Sequence, residues 1–244
     1  MFVLSPASSA VWQHQKQSPH LPPQKANPIM KVLITAGPTH EPIDPVRFIG
    51  NRSSGKMGIA IAEEFAKRGF EVTLVKGPTD LSASNPGILQ INVETAAQMY
   101  ATCAQYFTLN DVIVFAAAVA DYTPKHPSAT KIKKKENEFS IEMVKTTDIA
   151  AELGKLKHPG QVMVGFALET DNEMENARGK LAAKNLDFIV LNSVNDKGAA
   201  FQYDTNKVTI IDNKGNVTKF DLKPKTAVAA DIADYVFKIM EGNK

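Results

Sequence analysis

The chain has 244 residues, 43% of them hydrophobic and 22% charged, with a formal net charge of +2. That length suits one sizeable domain or two small ones, and the near-neutral balance argues against nucleic acid or a membrane surface as partner. No apolar run reaches the length of a membrane span, and a single cysteine excludes an internal disulfide framework, which fits a reducing cytoplasm.

Residues 1–29 are rich in Pro, Ser and Gln, lack acidic residues and show no period. They are expected to be disordered, and they lack the charged start and apolar core of a secretory signal. Met30 stands directly before the first strand as an alternative start, and one folded domain is expected over residues 30–244. From Lys31 onward, short apolar runs rich in β-branched residues alternate with helical patterns. Strands are predicted at 32–36, 71–75, 89–93, 111–116, 161–167 and 187–191, and helices at 57–68, 94–107, 148–157, 172–185 and 226–240. Cys103 falls in an amphipathic stretch, where a buried thiol is expected. The alternation predicts an α/β fold: a doubly wound, Rossmann-like, mostly parallel sheet covered on both faces, with ligands at the carboxyl ends of the strands. Two regions break the alternation. Residues 138–144 are strand-like, and 207–211 and 216–220 flank Asp212-Asn213-Lys214-Gly215, a hairpin turn signal. These extra strands are expected to form an appendage used for self-association.

The stretch GNRSSGKMG, residues 50–58, has P-loop spacing but fails as one. Met57 stands where the magnesium-ligating hydroxyl belongs, and the preceding strand ends far upstream at Ala36. Ser53, Ser54 and Gly55 read as a helix start, and Gly69 as its end. An NAD(P) site also fits poorly. No G-x-G-x-x-G follows the first strand, and Lys76-Gly77-Pro78 replaces the acidic ribose ligand after the second. A nucleotide-binding oxidoreductase is therefore the alternative reading, and a non-catalytic nucleotide-binding module a third.

Five motifs in order, TAGPTHEPIDPVRFIGNRSSGKMG (35–58), AAAVADY (116–122), KIKK (131–134), GFALET (165–170) and ARGKLAAKNLD (177–187), closely resemble phosphopantothenoylcysteine synthetase. The SSGKMG form resembles the bacterial branch, many of whose members are fused behind a flavin-dependent decarboxylase domain; that domain, and with it a flavin, is not expected in this chain. The resemblance implies a dimeric ligase that joins 4′-phosphopantothenate to L-cysteine through an acyl-nucleotide, releasing pyrophosphate and nucleoside monophosphate. CTP is implied ahead of ATP, with Mg²⁺ carried largely by the phosphates and no protein metal ligand named. A separate decarboxylase is implied as the next enzyme.

Residue by residue, the resemblance places the acyl intermediate at Arg47, Asn51 and Ala118. A guanidinium forks onto carboxylate or phosphate, and a primary amide both donates and accepts. On the residues alone, both side chains read as braces that bond the backbone of an extended loop. The nucleotide maps onto Phe115, Ala116, Ala117 and Asp121, although small residues there also suit tight packing. Lys131 matches a triphosphate-contacting lysine on a flap, whose lysine-rich run through Lys135 otherwise reads as a solvated surface. Thr147, Asp148, Ile149 and Ala150 open a helix whose N–H groups suit a phosphate, with Thr146-Thr147 in place of the common Asn-Pro. Phe166 is implied to pack on base or ribose, and Lys180 and Lys184, one helical turn apart, to contact the nucleotide.

Overall fold

The computed structural model describes residues 29–134, 138–193 and 203–242. The segment expected to be disordered lies outside the described residues up to residue 28, as does Lys135 of the lysine run. In chain order the strands are β1 (Lys31–Ala36), β2 (His40–Pro42), β3 (Phe48–Gly50), β4 (Glu71–Lys76), β5 (Ile88–Asn92), β6 (Val112–Phe115), β7 (Tyr122–Pro124), β8 (Met143–Lys145), β9 (Val162–Glu169), β10 (Phe188–Ser193), β11 (Thr205–Asn206), β12 (Val208–Asp212), β13 (Val217–Lys219) and β14 (Lys223–Pro224). The helices are α1 (Lys56–Lys67), α2 (Ala96–Tyr106), α3 (Ile149–Gly154), α4 (Glu173–Ala183) and α5 (Lys225–Gly242).

The main sheet has eight strands in the order β13-β12-β10-β9-β6-β1-β4-β5. β1, β4, β5, β6, β9 and β10 are mutually parallel, as their continuous apolar runs predict. Both faces are covered. Val32, Ile34 and Ala36 of β1 pack with Ile61 and Phe65 of α1 and Val228 and Ile232 of α5. Leu33 joins Met99 and Cys103 of α2 and Leu181 of α4 on the other side. The chain runs outward from β1 to β5 and then returns past β1 to β6. The crevice between β1 and β6 is therefore the topological switch point, where a doubly wound sheet opens at its carboxyl edge. Ala118 N donates to Gly37 O (2.8 Å), and Ala117 N to Thr35 Oγ1 (3.2 Å), which ties the two departing loops together there.

Three local expectations need correction. The hairpin at 207–211 and 216–220 is present as β12–β13, but it continues the main sheet instead of standing apart. β12 pairs antiparallel with β10 from Val208 to Asp212 because both of its faces are apolar and covered: Val208 and Ile210 lie on one side, Ile211 on the other. Of the strand-like run 138–144, only Met143 onward forms a strand, pairing with β7 in a separate two-stranded ribbon, while Phe139 stays exposed. At the start of α1 neither serine caps the helix. Gly55 is the N-cap at φ 75°, a left-handed conformation that glycine adopts without strain, and no side chain caps the first turn.

Gly58 fixes where α1 lies. A Cβ at this position would sit 2.5 Å from Ala36 Cβ and 3.0 Å from Thr35 O, so the helix rests directly on β1. α5 then packs along α1, joined to it by Arg68 Nη1 donating to Asp234 Oδ1 (2.6 Å). Substituting Gly58→Ala is expected to overpack this contact and cost about 1–3 kcal/mol of stability. The check is the urea midpoint of the variant against the parent; an unchanged midpoint would show that α1 can lift away from β1 freely.

Candidate active site

A cavity of about 680 Å³ opens at the carboxyl edge of the sheet, over the switch point. One wall is the chain leaving β6: Phe115, Ala116, Ala117, Ala118 and Asp121 all face it. Ala116, Ala117 and Ala118 keep this wall low, and the backbone beyond them is sewn to the β1 loop, with Ala120 N donating to the buried Thr39 Oγ1 (3.0 Å). Thr146 continues the stitching, with its Oγ1 donating to Ala120 O (2.6 Å).

A second wall is the start of α3, with Thr147, Asp148, Ile149 and Ala150. Asp148 is the N-cap: its side chain accepts from Ala151 N (3.1 Å). It also pairs with Lys184 Nζ at 2.9 Å. Burial raises the Asp148 pKa, but the Lys184 contact and the backbone donors outweigh it, leaving the carboxyl below its ordinary value. The floor is Gly165 and Phe166 of β9, with Lys180 and Lys184 projecting from α4. Lys180 is likewise paired, with Glu169 Oε1 at 2.6 Å. Both lysines thus line the cavity while neutralised by protein carboxylates.

Arg47, Asn51 and Lys131 do not line this cavity. The Arg47 guanidinium forks onto Asp44, and its Nη2 also donates to Ile132 O (3.0 Å). That guanidinium holds the Asp44 carboxyl well below the usual range. Asp44 in turn accepts from Ile132 N (3.1 Å), so the loop bearing Lys131 is clamped to the β2–β3 hairpin. Lys131 is exposed. Asn51 reaches the cavity wall from outside, Nδ2 donating to Ala118 O (3.0 Å) and Val119 O (3.2 Å).

Other cavity residues lay outside the predicted set: Lys56, Lys145, Asn192, Asn206 and Lys225. Asn192 follows the apolar run of β10, and its Oδ1 is buried with no hydrogen-bond partner among the described residues. A polar residue ending a buried strand at the carboxyl edge was its available signal. Lys56 was visible in GNRSSGKMG but discounted with the P-loop. No sequence signal marks Asn206 or Lys225, which arrive through β11 and β14, two-residue strands below the length that pattern reading resolves.

A model of the DNA/pantothenate metabolism flavoprotein C-terminal domain family matches residues 29–240. The chain is 55% identical over 202 residues to a protein of an unknown prokaryotic organism named cysteine/cysteine sulfinic acid decarboxylase, covering 83% of this chain and 56% of that one. It is 43% identical over 209 residues to the coenzyme A biosynthesis bifunctional protein CoaBC of Haemophilus influenzae, covering 86% of this chain and 52% of that one. The crystal structure of the C-terminal domain of a CoaBC protein superposes with a TM-score of 0.74 at 40% identity, covering 87% of this chain and 96% of the other. The chain spans about half the length of the curated relatives it matches.

The Asp148–Lys184 pair gives a pH prediction. A carboxyl whose folded pKa is depressed contributes stability above its unfolded value of about 4, and that contribution disappears as pH falls through the folded value. Carbon-13 titration of Asp148 should therefore give a midpoint below that of a free aspartate, and Lys184→Gln should raise it. A midpoint that ignores the substitution would show that Lys184 does not hold the carboxylate.

Proposed function

The chain belongs to the DNA/pantothenate metabolism flavoprotein C-terminal domain family, and from that premise we propose that it joins 4′-phosphopantothenate to L-cysteine in coenzyme A biosynthesis, through an acyl-nucleotide. The observation that carries this reading is the convergence, in one cavity at the switch point, of the 115–121 wall with Phe166, Lys180 and Lys184. A flat base and ribose fit the alanine wall against Phe166, while the lysines supply cations for phosphate.

In the first step the substrate carboxylate attacks the α-phosphorus of the nucleotide. The bond from that phosphorus to the bridging oxygen breaks, and its electron pair leaves with pyrophosphate. In the second, the cysteine amine attacks the acyl carbon. The acyl–oxygen bond breaks, nucleoside monophosphate departs with the electron pair, and the new amide nitrogen loses a proton. The protein's part is to position two reactants and offset developing charge. CTP is the proposed nucleotide on resemblance to the bacterial branch, and the orphaned Asn192 Oδ1 suits the exocyclic amine of its base. No group of three or more His, Cys, Asp or Glu side chains suited to a metal occurs among the described residues. A Mg²⁺ carried by the nucleotide phosphates would keep most of its waters and neutralise phosphate charge. The product keeps the cysteine carboxylate, the group a following decarboxylase removes.

Lys131 is assigned to the triphosphate and Asn51 to the acyl carbonyl, with Arg47 beside it. These three lie outside the cavity of their own chain, on loops that also expose Val46 and Phe48. We assign them to the site of a second copy in a homodimer.

Incubation with phosphopantothenate and CTP should release pyrophosphate, and CMP should follow only when cysteine is added. No pyrophosphate, with tight NADH binding instead, would favour the oxidoreductase reading. Carbon dioxide release from cysteine in the same incubation would favour the activity for which the decarboxylase relative is named. Asn51→Asp should let the acyl-nucleotide accumulate while slowing its turnover on the order of 100-fold, because an ionised carboxylate cannot donate to the carbonyl. Lys131→Gln should slow its formation.

The two-copy assignment makes a separate prediction. Mixed after co-refolding, Asn51→Asp and Lys180→Gln should recover about a quarter of parental activity, since half of the randomly paired two-fold dimers hold one intact site. No recovery would place Asn51 and Lys180 in the site of the same chain.

A further inference from the structure

Because α1 and α5 run parallel on one face of the sheet, their N-termini meet at one end of the cavity. Neither first turn carries an acidic residue. Lys56, Lys225 and Asn206 are among the side chains that line the cavity here. Lys56 opens α1, and Lys225, only 7% exposed, opens α5. Asn206, 2% exposed, comes from β11; its Oδ1 accepts from Lys207 N (3.1 Å), and its Nδ2 donates to no described residue. The nearby anion is Asp204. Its side chain, 86% exposed, reaches in from solvent to Lys56 Nζ at 2.6 Å, while its backbone carbonyl accepts from Lys225 N (2.9 Å). Lys225 Nζ donates to Tyr203 O. Burial, followed by the charge of Lys56, lowers the Lys225 pKa. Among the described residues, this end of the cavity is thus rich in donors, and the solvent-borne carboxylate of Asp204 serves Lys56.

We propose that Lys56, Asn206 and Lys225 form the seat of the β- and γ-phosphates and of the departing pyrophosphate, with Asp204 holding Lys56 until that anion arrives. The inference rests on the ligase reading and says where its leaving group goes. When the bond between the α-phosphorus and the bridging oxygen breaks, the electron pair stays on that oxygen, and the negative charge of the pyrophosphate rises next to these donors. Two ammonium groups and an unengaged amide N–H are suited to a diphosphate, whose oxygens only accept. Asp204 can yield because its side chain returns to water at little cost, as exposed ion pairs contribute little.

The test is calorimetric titration of inorganic pyrophosphate, and separately of CMP, into the full-length protein without other substrates. Lys56→Gln and Asn206→Asp should each weaken pyrophosphate binding about tenfold or more, the scale of losing a charge-assisted hydrogen bond. Asp204→Asn should tighten it about twofold or more, removing a competing surface ion pair. CMP affinity should stay within about twofold of parent throughout, since CMP carries no β-phosphate and the seat makes no contact with its single phosphate. Lys225 is left unchanged because its Nζ also holds Tyr203, and thermal midpoints check that each variant is folded. Parent-like pyrophosphate binding in Lys56→Gln and Asn206→Asp, or an equal loss of CMP binding, overturns the seat. Weaker binding in Asp204→Asn overturns the role given to Asp204. If the binding pattern holds but phosphopantothenate and CTP release no pyrophosphate, the ligase reading fails while the anion seat stands.

Discussion

The missing side chain at Gly58 sets the geometry on which everything at the carboxyl edge depends. With α1 seated against Ala36 and Thr35, its first turn is held at the mouth of the crevice. α5 inherits that placement by packing along α1, so two helix starts, each bearing a lysine, reach one end of the cavity. Were α1 a side chain's width further from the sheet, α5 would move with it. The donors would separate from the wall formed after β6, because that wall is tied to β1 itself and not to the helices. The fold thus references both sides of the site to a single strand.

A repeated electrostatic arrangement runs around the cavity. Lys180 is met by Glu169, Lys184 by Asp148, and Lys56 by Asp204. Without a ligand, a ring of cations would repel itself and raise the cost of the compact state. Carboxylates on neighbouring elements supply the counter-charge, and under the proposed function an arriving phosphate would take over each contact. Lys180 and Lys184 draw theirs from the end of β9 and the cap of α3, elements that also line or border the cavity. The same side chains that balance charge within the chain are the ones the proposed function assigns to phosphate.

Legibility from sequence followed the length and regularity of each element. Strands of four or more apolar residues and helices with a repeating buried face were readable because burial on both sides of a parallel sheet leaves a continuous apolar run. The hairpin was readable from Asp212-Asn213-Lys214-Gly215. Its attachment to the main sheet was not, since an antiparallel strand with two covered faces, as β12 is, resembles any other apolar run. In the cavity, Phe115, Ala116, Asp121, Phe166 and Lys184 were reached through contiguous motifs. Asn206 and Lys225 were not, because their place depends on how two residues of β11 pair with two of β14, a tertiary fact with no local period. Arg47 illustrates the opposite limit. Its chemistry was legible, but its partner was not, and in the described chain it is engaged by Asp44 three residues away.

Cys103 sits at the centre of the α2 face, fully enclosed, and burial pushes its thiol pKa up to about 12. Disulfide exchange proceeds through the thiolate, so the folded chain offers no attacking sulfur to cystine or glutathione disulfide. For a protein proposed to handle free cysteine, this keeps the amino acid from being captured on the enzyme as a mixed disulfide. Since the chain contains no other cysteine, any sulfhydryl that reacts with an alkylating probe reports a molecule that has opened as far as the α2 core. The folded population is silent, and the labelling rate becomes a clock for unfolding.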